Sequence, residues 1–190
     1  MTPVGRKTQS DAELIRLHYE RNWQSAGAAA RWTKGPTDEL PGDFSVLIFP
    51  PSKRRFWTYA TCCMSQASDD SRVELHLFSP RESFNHVELL TAVAHYHRTG
   101  TRLRMGHAVN FGRPWLDNSA CDRGLISLPY LDGPALENLE TRSGVIRCLW
   151  LIPVTASEVQ YAGENGLEAL ESRFEERMFN YLDPKRAPMA

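Results

Sequence analysis

Apolar residues recur at helical spacing in several parts of the chain, and residues that favour helix ends flank them. The first such part begins with a capping-box pattern, Ser10-Asp11-Ala12-Glu13, followed by an apolar face. The second begins with proline after Ser79 and stops at Gly100. Four helices are predicted in all, over residues 10 to about 27 or 31, 79–100, 155–163 and 166–182.

Shorter apolar runs predict strands. In the run 73–78 the aliphatic residues are expected on one face of a strand, with Glu74, His76 and Phe78 on the other. The run 145–154 is almost continuously apolar, which is typical of a buried central strand. Strands are predicted over residues 44–49, 55–64, 73–78, 124–131 and 145–154.

The order of these elements indicates the fold class. Helices lie before, between and after the strands, and several neighbouring strands are joined by short turns. This order predicts an α+β fold, in which a mixed, largely antiparallel sheet packs with helices. A chain of 190 residues fits one domain. We expect residues 1–43 to form an N-terminal helix and loop packed on a main domain of residues 44–190.

Two irregular segments, 105–115 and 122–134, interrupt this regular pattern. The first contains Gly106, Gly112 and Pro114 among side chains rich in hydrogen-bonding groups, and the second is rich in turn-forming residues. Irregular backbone that must adopt a defined shape carries function more often than the elements around it. We therefore look for the functional residues in these two segments.

Composition and charge exclude some classes of partner. The net charge is −1, and no long basic tract is present, so neither a nucleic-acid nor a membrane surface is expected. The polar start of the chain has no apolar core like that of a signal peptide, and no run approaches a membrane span. These features predict a cytoplasmic protein.

The sequence predicts neither a metal site nor a cofactor. The four cysteines form no C-x-x-C pair and are expected to be buried, reduced thiols. His95 and His97 are two residues apart on a predicted helix and so do not share a face. Glycine-rich phosphate-binding patterns are also missing from the sequence.

Catalysis remains an alternative hypothesis. A triad could combine Ser127 or Cys121 with His107 and Asp122 or Asp132, although no G-x-S-x-G spacing accompanies them. More generally, an enzyme of unknown type would have a cleft around His107, Asn110 and Asp122. The chain has no complete catalytic motif, so we expect a non-enzymatic protein.

The remaining hypothesis is recognition of another protein. Arg, Trp and Tyr are favoured at interface hot spots, although the two aromatic residues could equally be core anchors of a loop. The predicted partner-binding residues are His107, Asn110, Arg113, Trp115, Tyr130 and Asp132.

Several motifs, in one order along the chain, carry a family resemblance. They lie at residues 57–65, 74–80, 88–97, 106–115, 125–130 and 149–155, followed by Glu158 and Tyr161. Together they make the region from Phe44 to Pro184 similar to the suppressor of fused domain family. One departure is Cys63, which stands where the family usually has glycine.

The resemblance implies a compact bacterial form of the family, an α/β sandwich with a mixed sheet. It further implies a protein-binding module, and specifically an immunity protein that neutralises a toxin by occluding its active site. In this family's mode of capture, a partner segment adds along a strand edge or lies in a cleft.

Overall fold

The computed structural model describes residues 9–35 and 37–190, and within them the chain forms five helices and eight strands. The elements are, in chain order, α1 (Asp11–Trp23), β1 (Ala28–Ala30), β2 (Ser45–Phe49), β3 (Trp57–Cys62), β4 (Arg72–Ser79), α2 (Asn85–Thr99), β5 (Ala108–Asn110), β6 (Arg123–Ser127), α3 (Pro134–Glu137), β7 (Asn138–Thr141), β8 (Gly144–Val154), α4 (Ala156–Asn165) and α5 (Leu167–Glu176).

All the strands belong to one sheet. Its order is β1-β2-β3-β4-β8-β6-β5, and β7 pairs with the first part of β8. β4 and β8 run parallel, whereas the other pairings in the described residues are antiparallel. The predicted α+β class with a mixed, largely antiparallel sheet is therefore confirmed.

Side chains of successive strand residues leave the sheet on opposite faces, and both faces are covered. On one face, Leu149 and Leu151 of β8 pack in a core that includes α2 and the segment 103–121. On the other face, Cys148 packs with α1 in one core, while Trp150 and Ile152 pack with α5 in another. We call these the α2 face and the α5 face.

The expected alternation along β4 holds, but neither side of this strand is exposed to water. Val73, Leu75 and Leu77 lie in the core of the α2 face, and Phe78 lies in that of the α5 face. All eight residues of β4 are buried, because the strand lies in the middle of the sheet under helices on both sides.

Three predicted helix boundaries are wrong, each for a local reason. α1 ends at Trp23 because Gln24 adopts a left-handed conformation and its N–H caps the helix. α2 begins at Asn85 because Ser79 is still paired with Trp57 in the sheet. α5 ends at Glu176, and the left-handed Met178 then turns the chain back on itself.

The described residues before position 44 contribute a strand to the main sheet as well as packing on it. α1 buries Ile15, Tyr19 and Trp23 against the α5 face, and β1 forms one edge of the sheet. Residues 1–8, on which the expectation about a leader partly rests, lie outside the described part of the chain. Across the described residues, the helices are too short or too polar to cross a bilayer.

A buried carboxylate holds the connection between β3 and β4. Glu74 accepts from Thr61 Oγ1 at 2.6 Å, from the Met64 and Ser65 N–H groups at 3.1 Å each, and from Ser65 Oγ at 3.0 Å. Cys63, at φ +65°, turns the two successive N–H groups toward the carboxylate, as in other anion-binding nests. Burial raises the pKa of Glu74, and these hydrogen bonds oppose that increase.

We expect Glu74→Gln to lower the free energy of unfolding by about 2–4 kcal/mol. Four donors converge on the two carboxylate oxygens, and glutamine keeps only one oxygen while directing an NH₂ group at the other donors. Urea unfolding measures the change, and Glu140→Gln on the exposed side of β7 is the control. Equal stability of the two variants would contradict the structural role of this carboxylate.

Candidate functional site

The irregular segment 105–115 contains a strand that forms the second edge of the sheet. β5 pairs with β6 so that Val109 lies opposite Gly124. Ile126 N donates to His107 O, and Phe111 N donates to Asp122 O. The odd-numbered residues of this segment therefore direct their main-chain N–H and C=O groups toward β6. In an antiparallel pair the intervening residues direct their N–H and C=O groups outward. Ala108 and Asn110 therefore present unpaired main-chain groups at an open edge.

A groove of about 400 Å³ lies between this edge and helix α2. Val109 and Phe111 contribute its strand side, and residues of α2 form the opposite wall. The Arg113 guanidinium forms an ion pair with Glu88, joining the turn after β5 to the helix. The full lining is Glu88, Leu89, Ala92, Val93, Tyr96, Ala108, Val109, Asn110, Phe111, Gly112 and Arg113.

Gly124 of β6 leaves space for the bulky side chains of Phe111 and Leu151, which lie on either side of it. A Cβ atom at this position would lie 2.5 Å from the Phe111 ring and 2.6 Å from a methyl group of Leu151. A larger residue here would displace the Phe111 ring or the Leu151 methyl group, so Gly124 fixes the position of the Phe111 ring that lines the groove.

Two of the predicted site residues fix the backbone around β5. Asn110 Oδ1 accepts from Gly112 N at 2.8 Å, which closes the turn after the strand. His107 Nε2 accepts from Arg104 Nε at 3.1 Å just before the strand. Partial burial lowers the pKa of His107, and the Arg104 charge lowers it further.

Trp115 is 3 % exposed and belongs to the core of the α2 face. Its Nε1 donates to Ser119 Oγ at 3.0 Å, and its ring centroid lies 5.7 Å from that of His86. Direct contact of this ring with a partner, as expected from the sequence, does not fit its burial. Trp115 instead anchors the turn that carries Arg113.

Tyr130 and Asp132 lie away from the groove, on the α5 face. Tyr130 is 56 % exposed, and its hydroxyl donates to Glu171 Oε2 at 3.0 Å. The Asp132 carboxylate is only 2 % exposed, so it too has no surface for direct contact. It forms an ion pair with Arg54 and accepts from Trp23 Nε1 at 2.9 Å. The six predicted residues therefore do not form one site.

The residues proposed for catalysis are occupied by local contacts. His107 and Asn110 bond within their own turns, and the Asp122 carboxylate pairs with the neighbouring Arg123. Ser127 Oγ donates to a carboxylate oxygen of Glu171, and burial raises the pKa of the Cys121 thiol. Over residues 9–35 and 37–190, no group of three or more His, Cys, Asp and Glu side chains could hold a metal ion.

The helical wall of the groove was not predicted from the sequence. Leu89, Ala92, Val93 and Tyr96 line the groove at helical spacing beside the buried face of α2. The sequence did carry a signal for this wall, because the apolar residues of α2 cover a wider part of the helix surface than one core-facing row requires.

A protein-family model described as suppressor of fused protein matches residues 41–187. The comparison with curated proteins gave no match. Among solved structures, the crystal structure of a candidate suppressor of fused homologue from Neisseria gonorrhoeae is 30 % identical, with a TM-score of 0.82. That likeness covers 95 % of this chain and 97 % of the other.

Two more distant structures share the fold. A chain of the Sufu–Fu complex is 15 % identical, with a TM-score of 0.67 over 96 % of this chain and 93 % of that one. Suppressor of Fused from Drosophila is 16 % identical, with a TM-score of 0.68 over all of this chain and 54 % of its own length.

The environment of His86 predicts acid sensitivity of the domain. Burial, and secondarily the Arg113 and Arg81 charges, lowers the pKa of His86 from 6.5 to about 3. The unfolded chain therefore binds more protons than the folded one between these two values, and stability falls as the pH drops through this window. His86→Phe should reduce the pH slope of the unfolding free energy by up to about 1.4 kcal/mol per pH unit.

Urea unfolding at several pH values between 6.5 and 4 measures this slope. His95→Phe, in a half-buried position on the same helix, is the matched control. A slope that is equally reduced in both variants, or in neither, would contradict the role of His86.

Proposed function

This chain belongs to the suppressor of fused family, and we propose that it is a protein-binding domain that captures an extended partner segment along β5. The observation that carries the proposal is the open edge of β5 beside the groove formed with α2. An extended segment that pairs with such an edge gains main-chain hydrogen bonds, and its alternate side chains enter the neighbouring groove.

The main-chain groups of Ala108 and Asn110 are the docking points. Each of these residues directs one N–H and one C=O away from β6, so a partner strand can pair with both. Each hydrogen bond contributes about 0.5–1.5 kcal/mol net. So few bonds give modest affinity alone, and contacts in the groove must supply the rest.

The groove favours small apolar side chains and selects by charge at its rim. Val109 and Leu89 are largely buried apolar residues that line it, and Ala92 leaves space in the helical wall. Arg113 and Glu88 are 43 % and 33 % exposed at their side chains, so a partner can reach both charges. Exposed charges of this kind affect partner choice and association rate more than affinity.

The edge strand β1 at the other side of the sheet is a weaker candidate. Its three residues are all alanines, so its outward face offers little side-chain contact. The Sufu–Fu complex supports protein binding by this fold, since a family member there is in complex with another protein.

We further propose that the partner is a toxin and that this chain acts as its immunity protein. The family resemblance supports this role, and a rigid, preformed groove suits occlusion of a toxin's active site because little ordering entropy is lost on binding. A cytoplasmic location and a non-enzymatic mechanism belong to the same proposal.

If a partner adds as a strand along β5, variants that remove an outward N–H group or fill the groove should bind peptides more weakly. Peptides selected on the protein from a random phage-displayed library serve as probes. Ala108→Pro removes an outward N–H without touching the ladder to β6. Ala92→Arg fills the groove. Each should weaken binding about tenfold or more in calorimetry, which corresponds to about 1.4 kcal/mol.

Two matched controls accompany these variants. Ala108→Ser keeps the N–H group, and Thr99→Arg places the same bulk on α2 outside the groove. Both should bind as the wild type does. N-methylation of alternate residues in the peptide should also abolish binding, and peptides that bind despite N-methylation at every position would refute strand addition.

The immunity role predicts a growth phenotype. The protein is co-expressed with a toxic product of a neighbouring gene, and growth of the host is measured. Wild type and Thr99→Arg should restore growth, while Ala92→Arg should not, because its groove is filled. If the groove variant restored growth as well as the wild type does, the immunity role would not depend on this groove. If the wild type gave no protection, the immunity proposal would be refuted.

A further inference from the structure

A second, larger cavity lies on the α5 face, on the opposite side of the sheet from the groove. It has a volume of about 700 Å³, within the usual range of small-molecule sites. Trp150 and Ile152 of β8 line it from below, and α5 with the segment after it forms its wall. Nothing in the proposed strand addition at β5 uses this cavity.

The chain after α5 is shaped so that aromatic rings line the cavity. Met178 adopts φ +46°, and Phe179 N donates to Phe174 O at 2.9 Å. This turn stacks the Phe179 ring on Phe174 with centroids 4.2 Å apart. It also places Tyr181 edge-on to Trp150 at 5.3 Å. The left-handed Met178 is a common form of helix C-terminal cap, so the end of α5 itself sets the positions of these rings.

The rim of this aromatic cavity exposes apolar surface. Met178, Tyr130 and Leu131 are 88 %, 56 % and 46 % exposed. Trp150 lines the cavity from below and is itself only 3 % exposed. The cavity therefore offers an apolar interior and an apolar rim to the body of a ligand.

The charge of the cavity is negative. Glu168, Glu171 and Glu175 line it from one face of α5, and none of its described lining residues is basic. Glu171 accepts from the hydroxyls of Ser127 and Tyr130. Glu168 and Glu175 are exposed, and within the described residues no side chain donates to either carboxylate, so both are available to a ligand.

Two arginines that lie over aromatic rings in the core of the α5 face are already paired with carboxylates. Arg186 lies 5.3 Å from the Phe179 centroid but forms a buried, bidentate ion pair with Glu158. Arg54 lies 5.5 Å from the Phe78 centroid and pairs with Asp132. These cations therefore do not neutralise the three glutamates of the lining.

We propose that this cavity binds a small organic cation, an ammonium group carried on an aromatic or aliphatic body. The rings accommodate the apolar body of the ligand, and the exposed glutamates pair with its charge. Arg186 already lies over the Phe174 and Phe179 rings, so the carboxylates rather than the ring faces attract the cation. Trp150 and Ile152 lie on β8, whose pairing with β6 continues through both residues, so the cavity offers no free strand edge there to an extended peptide. The occupant is therefore a compact molecule rather than a protein segment.

The test uses tryptamine as the probe and tryptophol, its neutral alcohol counterpart, as the matched ligand. Titration is followed by NMR through the indole N–H signals of the protein. Tryptamine should bind about tenfold more tightly than tryptophol, with the Trp150 signal shifting most, because only the amine can pair with the carboxylates.

Matched protein variants test which glutamates pair with the amine of the ligand. Glu168→Gln combined with Glu175→Gln should weaken tryptamine binding about tenfold and leave tryptophol unchanged. Glu164→Gln combined with Glu176→Gln changes net charge equally, at positions that do not line the cavity, and should bind as wild type does. Equal binding of the two ligands, or equal weakening in both variants, would overturn the proposal. Binding of amine-bearing peptides but not of free tryptamine would also overturn it.

Discussion

The parallel pairing of β4 with β8 is the constraint on which the rest of the fold depends. It joins a half-sheet of β1 to β4 to a half-sheet of β8, β7, β6 and β5, and each half is antiparallel within itself. Parallel strands cannot be joined by a tight turn, so the chain must cross over between them. The crossover from residue 80 to 143 contains α2, β5 and β6. It therefore supplies both the helix that covers one face of the sheet and the open edge with its groove.

The sequence predicts well those elements whose signal is local. The cap of α1 from Ser10 to Glu13 and the capping box from Thr155 to Glu158 are both present. The alternation of β4 was visible because its period spans the whole strand. Strands of three or four residues, such as β1, β5 and β7, are too short to show a period, and their pairing is decided by partners distant in the chain.

The site could be predicted only in part, and Trp115 and Tyr130 show why. Both are aromatic residues in irregular segments, yet one is 3 % and the other 56 % exposed. Their exposure depends on what packs over them, here His86 and Ser119 above Trp115, and no local pattern contains that information. The irregular segment 105–115 did contain the edge strand, but its partner wall comes from α2 and its second strand from β6.

Strand β8 carries the cores of both faces on alternate residues, with Leu149 and Leu151 on one side and Cys148, Trp150 and Ile152 on the other. A single inserted or deleted residue within this strand would turn the side chains that follow it to the opposite face and so disrupt both cores at once. Related sequences are therefore expected to differ in length at the surface turns, such as the turn between β7 and β8, and to keep the spacing from Ile146 to Ile152 fixed. The two proposed binding surfaces thus depend on the same alternation of side chains along β8, although they lie on opposite faces of the sheet.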